Sequence, residues 1–310
     1  MKKTYINIGI VLGIIFVVMI LEMVALVAVL PEDITKSGSI AMINLEGTIS
    51  SESSEESVFG DYQPSVDDYI EWIEDAAKDD GTEAIIIKIN SPGGEAIASE
   101  KLARAIKEAS GQKVVVAYVE SMAASAAYQA ASSTDYIVAE KQSLVGNIGV
   151  RMEIIHYYGL MEDLGVNVTT IKSGEFKDIG SPTRPMTEEE QEMLQSIVDE
   201  SYYEFVSWVA ENRNMTYNET LEVADGRIYS GTQAREAGLV DMVGTEEDAI
   251  DIAAEMANIT DPGIYEYKAS SPGILGVKFN EAMYHFGYGF GKAFSETRTE
   301  EVAKTYEMFY

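Results

Sequence analysis

The chain opens with an almost unbroken apolar run, residues 5–30, in which Glu22 is the only charge. As a helix this run would be about 39 Å long, enough to cross a bilayer with some tilt. Lys2 and Lys3 precede it, and Pro31, Glu32 and Asp33 follow it. That asymmetry predicts residues 1–4 in the cytoplasm and the rest of the chain outside. A cleaved signal peptide is the competing reading. Its apolar region is usually about 7 to 15 residues long, so length favours a retained signal anchor. The Val-Ala-Leu and Val-Ala-Val triplets near the end keep cleavage open.

After a linker at residues 31–37, the pattern changes to short apolar runs separated by polar, capped segments. Ser39 to Ile49 (SIAMINLEGTI) predicts a strand ending in a turn at Glu46-Gly47, and Ser50 to Ser57 a polar loop without periodicity. Ser65 with Asp68 forms a capping box for a helix whose apolar stripe is Val66, Tyr69, Ile70 and Ile73. Ala84 to Ile89 (AIIIKI) predicts a buried central strand. A glycine turn follows, and then a helix with Ile97, Leu102, Ala105 and Ile106 facing inward. Lys113 to Val119 predicts the next strand, Ala123 to Ala131 a tightly packed helix, and Tyr136 to Ala139 another strand. Val168 to Ile171 reads as a further strand. Thr187 with Glu190 opens a long helix carrying Leu194, Ile197, Val198, Phe205 and Val209, and Thr245 with Asp248 opens a last core helix.

Strands alternating with helices predict a largely parallel α/β domain over residues 38–258, with no linker strong enough to divide it. Residues 259–310 differ, being rich in aromatics such as Phe279, Tyr284 and Phe286 among glycines. They read either as an oligomer or membrane contact or as packing on the core.

Composition narrows the chemistry. The 310 residues contain no cysteine, which excludes disulfides, thiolate metal sites and cysteine nucleophiles. His156 and His285 are the only histidines, so a Ser-His-Asp triad or a histidine-rich metal site has little to draw on. The formal net charge of −30 repels phosphate backbones and argues against a nucleic-acid partner. It suits either a solubilising surface or a high-salt setting that screens self-repulsion. Asn167, Asn214, Asn218 and Asn258 lie in Asn-x-Ser/Thr sequons, which matter only for an exported domain in a host that modifies them.

Three motifs carry candidate chemistry. Asn90-Ser91-Pro92-Gly93-Gly94 follows a buried strand, where glycines can leave backbone N–H groups exposed to hold an oxyanion. Met122-Ala123-Ala124-Ser125-Ala126-Ala127-Tyr128 places a serine among small residues, where a peptide backbone can approach closely. Ser173-Gly174-Glu175-Phe176-Lys177-Asp178 places a lysine beside Phe176 and Ile179. A lysine can serve as a base if desolvation lowers its pKa. Each motif alone has a plainer reading: a turn, a helix cap, and a surface lysine paired with Asp178 or Glu175.

Taken in order with Gly180 to Glu190 (GSPTRPMTEEE) and Ala224 to Asp241 (ADGRIYSGTQAREAGLVD), the motifs resemble SppA-type signal peptide peptidases. The resemblance covers residues 38–250. It implies a ClpP/crotonase-like α/β fold, a repeated ββα spiral core behind one N-terminal transmembrane helix. It further implies a membrane-anchored serine endopeptidase that cleaves remnant signal peptides or other apolar peptides beside the membrane, without metal or other cofactor. Ser125 matches the nucleophile and Lys177 the general base. Gly93, Gly94 and the Ala126 N–H match the oxyanion hole, and Asn147 and Asp178 are candidates for positioning the lysine. The family forms homo-oligomers in which dyad residues can come from neighbouring protomers. Two positions depart from its pattern: Ala126-Ala127 stands for Gly-Gly after the serine, and Asn147 replaces the serine that helps to position the lysine. The alternatives are a ClpP-class membrane peptidase specific for a stomatin-like protein, a non-catalytic oligomeric membrane scaffold, and, remotely, a crotonase-like acyl-CoA enzyme.

Overall fold

The computed structural model describes residues 38–53 and 63–267. The apolar run at 5–30, the linker and nearly all of the C-terminal tail lie outside these residues. Among the described residues no helix is long and apolar enough to cross a membrane.

The centre of the fold is set by two strands whose side chains are apolar on both faces. These are β2 (Thr82–Gly94) and β3 (Val114–Ala124), paired in parallel. Successive strand residues point to opposite faces. Ile85, Ile87 and Ile89 of β2 and Val115, Ala117 and Val119 of β3 therefore share one face. Against it pack α1 (Val66–Lys78), α2 (Ala96–Ser110), α3 (Ala126–Ser132) and the C-terminal half of α5 (Glu188–Asn212). Ala84, Ile86, Val116 and Tyr118 share the other face with α8 (Glu246–Ala257), which contributes Ala249, Ala253 and Ala254. Burying each of these isoleucines is worth about 1.5–3 kcal/mol, so the β2–β3 pair organises the core.

Around this pair the sheet grows to eight strands among the described residues. On one side β1 (Ser39–Ile49) pairs with β2, and β8 (Gly263–Tyr267) with β1. On the other side β3 pairs in parallel with both β4 (Tyr136–Ala139) and β5 (Leu144–Gly146). β7 (Met242–Val243) joins β4 in parallel, and β6 (Ile228–Ser230) joins β5 antiparallel. The sheet is thus mixed. Residues Gly263–Tyr267, read from sequence as part of the tail, form its edge.

The capping boxes predicted for α1, α5 and α8 are all formed, each with the side-chain and backbone bonds in both directions. Two shorter helices, α6 (Tyr217–Val223) and α7 (Gly231–Glu236), begin the same way, at Thr216 and Ser230.

Five local expectations change. β1 runs on through Gly47 to Ile49, past the turn expected at Glu46-Gly47. The glycine pair Gly93-Gly94 ends β2 instead of forming a separate turn, because pairing with β3 continues past Ile89. The register shifts there: Ile89 pairs with Val119 but Asn90 with Met122, which leaves Glu120 and Ser121 as a bulge. The helix expected from Ala123 starts at Ala126, since Ala123 and Ala124 still belong to β3. Ile97 points to solvent, 69% exposed. It lies on the charged stripe with Lys101, Arg104 and Glu108, one position off the buried Ala98–Leu102–Ile106 stripe. Val168 to Ile171 forms no strand, and Ile171 is 97% exposed. Its β-branched residues find no partner strand among the described residues.

Candidate active site

Ser125 is the single residue between β3 and α3. Its backbone sits at φ 54°, ψ −122°, a region that non-glycine residues rarely enter and that costs about 1–3 kcal/mol to hold. The surroundings enforce it. Ala123, Ala124, Ala126 and Ala127 are all buried, and the Ser125 N–H donates to Gly146 O at 2.8 Å. Tyr128, fully buried, donates its hydroxyl to Leu239 O at 2.9 Å and anchors α3 from below. A serine in front of a helix ordinarily caps it, but the Ser125 side chain makes no capping hydrogen bond. A strained serine on a sharp strand-to-helix turn, its hydroxyl unused by the helix, has the geometry of a nucleophile elbow.

Gly93 abuts this turn. A Cβ placed on it would lie 2.7 Å from Ala124 O, 2.9 Å from Ser125 Cβ and 3.0 Å from Ala126 N. Only glycine fits there, and its φ of +102° requires glycine as well. The Gly93 N–H donates to the buried Ser91 Oγ at 3.2 Å. Gly94 is closed in by β1, where a Cβ would stand 1.9 Å from Ile49 O. Ala126 is the first residue of α3, so its N–H has no acceptor within the helix. Ser125, Gly93 and Ala126 therefore meet at one point at the C-terminal ends of β2 and β3.

Asn147 follows Gly146, the residue whose carbonyl holds Ser125. Its backbone has φ 53°, its N–H donates to Arg227 O at 2.8 Å, and its Nδ2 donates to Gly226 O at 2.6 Å. The amide oxygen is the end left for a further donor.

Lys177 lies on a separate piece of chain, a run of turns between Gly174 and Gly180, and its side chain is exposed. No hydrogen bond or ion pair of its Nζ is found among the described residues, and none joins it to Ser125 Oγ. Asp178 faces other cations. Arg184 Nε and Nη2 donate to its carboxylate at 2.9 and 2.8 Å, and Lys172 Nζ donates to the same group. Arg184 also donates from Nη1 to Glu190 Oε2 at 2.8 Å, while Glu190, only 3% exposed, accepts from the Thr187 N–H. The guanidinium, followed by Lys172, holds the Asp178 carboxyl well below the usual carboxylate range. The same guanidinium, followed by the Thr187 N–H, lowers that of Glu190. This network staples the lysine-bearing turn to the first turn of α5. Sequence reading gave no role to Lys172 or to Arg184, although Arg184 lies within the Gly180 to Glu190 motif.

The segment leading to Lys177 exposes apolar side chains, among them Met152, Ile155, Leu160, Leu164 and Val168. Its helix α4 (Tyr158–Asp163) buries none of its residues.

Residues 107–260 match the model of peptidase family S49. The chain is 53% identical over 229 residues to a protein of Methanocaldococcus jannaschii named as a protease, covering 74% of this chain and 72% of that one. It is 33% identical over 243 residues to a protein of Enterococcus faecium named as signal peptide peptidase SppA, covering 78% of this chain and 70% of that one. Protease 4 of Salmonella typhi is 34% identical over 225 residues, which are 72% of this chain and 35% of that protein. Among solved structures, a membrane-bound stomatin-specific protease in complex with a substrate peptide is 16% identical with a TM-score of 0.51. The match covers 76% of this chain and 94% of that one, and it shows a shared α/β fold.

Proposed function

The chain belongs to peptidase family S49, a serine-type peptidase acting on peptides, and from that premise we propose that Ser125 is its nucleophile and Lys177 its general base. The observation that carries the assignment is the Ser125 backbone: strain of this kind persists only where the surroundings over-determine it, and here it frees the hydroxyl from its helix. Neutral Lys177 takes the proton from Ser125 Oγ as the oxygen attacks the peptide carbonyl. The Ala126 N–H, joined by an N–H of the Gly93-Gly94 pair as the Gly93 bond to Ser91 Oγ gives way, receives the negative charge on the carbonyl oxygen. Lys177 then passes its proton to the leaving amine, and water, activated by the same lysine, hydrolyses the acyl-enzyme.

The base comes from a neighbouring copy of the chain. Support for this is the exposed Lys177 side chain with no partner among the described residues, the apolar side chains displayed along 152–168, and a helix α4 with nothing buried. In the assembled enzyme Asn147 and the network around Asp178 hold the lysine in place. Residues 5–30 anchor each copy in the cell membrane, with the catalytic domain on the outer side and apolar signal-peptide remnants as substrates. Mixing inactive Ser125→Ala and Lys177→Ala chains tests the shared site. Recovery of peptidase activity in the mixture is expected. A mixture as inactive as its parts, from variants that fold and assemble, would return the dyad to a single chain.

A further inference from the structure

We propose that Glu95 is a positioning residue for catalysis, its carboxylate tying the end of β1 to the first turn of α2 and so fixing the Gly93-Gly94 pair against Ser125. The inference rests on the reading of Ser125 as nucleophile and of the glycine pair as its oxyanion loop.

Glu95 follows Gly94 directly and is the N-cap residue of α2, yet its side chain makes no capping bond to that helix. It reaches instead to residues more than forty positions earlier. Oε1 accepts from Ser50 Oγ at 3.1 Å, and Oε2 accepts from the Ser51 N–H at 3.0 Å and Ser51 Oγ at 2.7 Å. The Glu95 N–H donates to Ile49 O at 2.9 Å. Four hydrogen bonds thus join one residue to Ile49, the last residue of β1, and to Ser50 and Ser51 just after it, and Gly94 lies close against Ile49 in the same place. These donors also hold the Glu95 carboxyl below its ordinary pKa, the Ser51 hydroxyl contributing most.

One helical turn along, Ser99 braces the other side. It is buried, and its hydroxyl donates to Ala126 O at 3.2 Å and to Gln129 Oε1. The start of α2 is therefore tied to β1 through Glu95 and to α3, the helix that begins after Ser125, through Ser99. The glycine pair lies between the two ties. Two consecutive glycines have no side chains to hold their peptide planes, so beyond the Gly93 N–H bond to Ser91 Oγ the direction of their N–H groups has to be imposed by neighbouring elements. An oxyanion donor works only within about 2.7–3.1 Å of the developing charge. The bonds of Glu95 are exposed, and their value lies in direction more than in stability.

The experiment uses the full chain in detergent micelles with an apolar fluorogenic peptide. It compares kcat, KM and thermal unfolding for the parent, Glu95→Ala, Glu95→Gln, the Ser50→Ala/Ser51→Ala pair and Ser125→Ala. Glu95→Ala is expected to lower kcat about 10- to 100-fold with KM within about twofold, the signature of lost transition-state contact. Glu95→Gln keeps one acceptor oxygen and should fall between it and the parent. The double serine variant leaves the carboxylate but removes two donors, and should lower kcat by about tenfold or less. If Glu95→Ala does not fold, the serine pair decides. Folded variants whose kcat matches the parent, beside an inactive Ser125→Ala, would overturn the proposal while sparing the nucleophile. An active Ser125→Ala would remove the nucleophile reading and the brace together.

Discussion

Gly93 and Ser125 are packed so closely that a methyl group on the glycine would stand 2.9 Å from the serine Cβ and 2.7 Å from the Ala124 carbonyl oxygen. The atoms met are backbone atoms and a Cβ whose position the backbone fixes, so neither side can swing away. Gly93→Ala adds this collision to an unfavourable φ of +102°. It should cost about 1–3 kcal/mol of stability and about 100-fold in kcat, read from a urea midpoint and peptide hydrolysis together. A fully active, equally stable variant would mean that the loop relaxes freely.

The strain at Ser125 has its own signature. Ser125→Ala and Ser125→Gly both remove the proposed nucleophile and should both be inactive. Glycine accepts φ 54° without cost, whereas alanine does not. The glycine variant should therefore be the more stable of the two by about 1 kcal/mol, despite its greater freedom when unfolded. Equal unfolding midpoints would show that the elbow stores no strain.

The Asp178–Arg184–Glu190 network predicts an acid limb of stability. Both carboxyls have folded pKa values depressed below those of the unfolded chain. Their contribution is complete above the usual carboxylate pKa of about 4 and is lost as pH falls toward the folded values. Arg184→Met removes the cation that lowers both. Its unfolding temperature should fall at neutral pH, and the difference from the parent should shrink on going from pH 6 to pH 3. Parallel curves over that range would show that Arg184 acts through packing alone.

Tyr128 belongs to the serine motif, yet its hydroxyl faces Leu239 O, away from Ser125. Tyr128→Phe should lose about 1–2 kcal/mol in urea unfolding, since the buried carbonyl is left without that donor. Labelling of Ser125 by a fluorophosphonate should persist in the folded variant. Loss of labelling from a stably folded Tyr128→Phe would give the hydroxyl a role in the site itself.

Much of the frame could be read from local patterns. β4 and the capped starts of α1, α5 and α8 fall where the sequence puts them, because apolar runs and capping boxes act within a few residues, while β1 runs on through Gly47 to Ile49 where a turn at Glu46-Gly47 was expected. What escaped depends on distant partners. The extension of β2 through Gly94 follows from its pairing with β3, and no property of the Ser91–Gly94 stretch announces it. Ile97 was misplaced by a single helical position, since the facing of a short stripe turns on where the helix begins. Val168 to Ile171 has strand composition but no strand beside it. At the site, Ser125, Gly93 and Ala126 were legible as motifs, and the structure brings them together. The ties of Glu95 to Ser50 and Ser51, and of Arg184 to Asp178, were not, because a charged side chain does not reveal in sequence which group it will meet.

The serine and the lysine are held by two separately braced pieces of the fold, one built on β2, β3 and α2, the other stapled to α5 by Arg184. On the proposed assembly, such a chain needs no propeptide to remain silent after synthesis. An isolated copy would be a zymogen by geometry alone. Proteolysis would switch on where copies accumulate, so that local crowding in the membrane, and not a cleavage event, would set when the enzyme begins to cut.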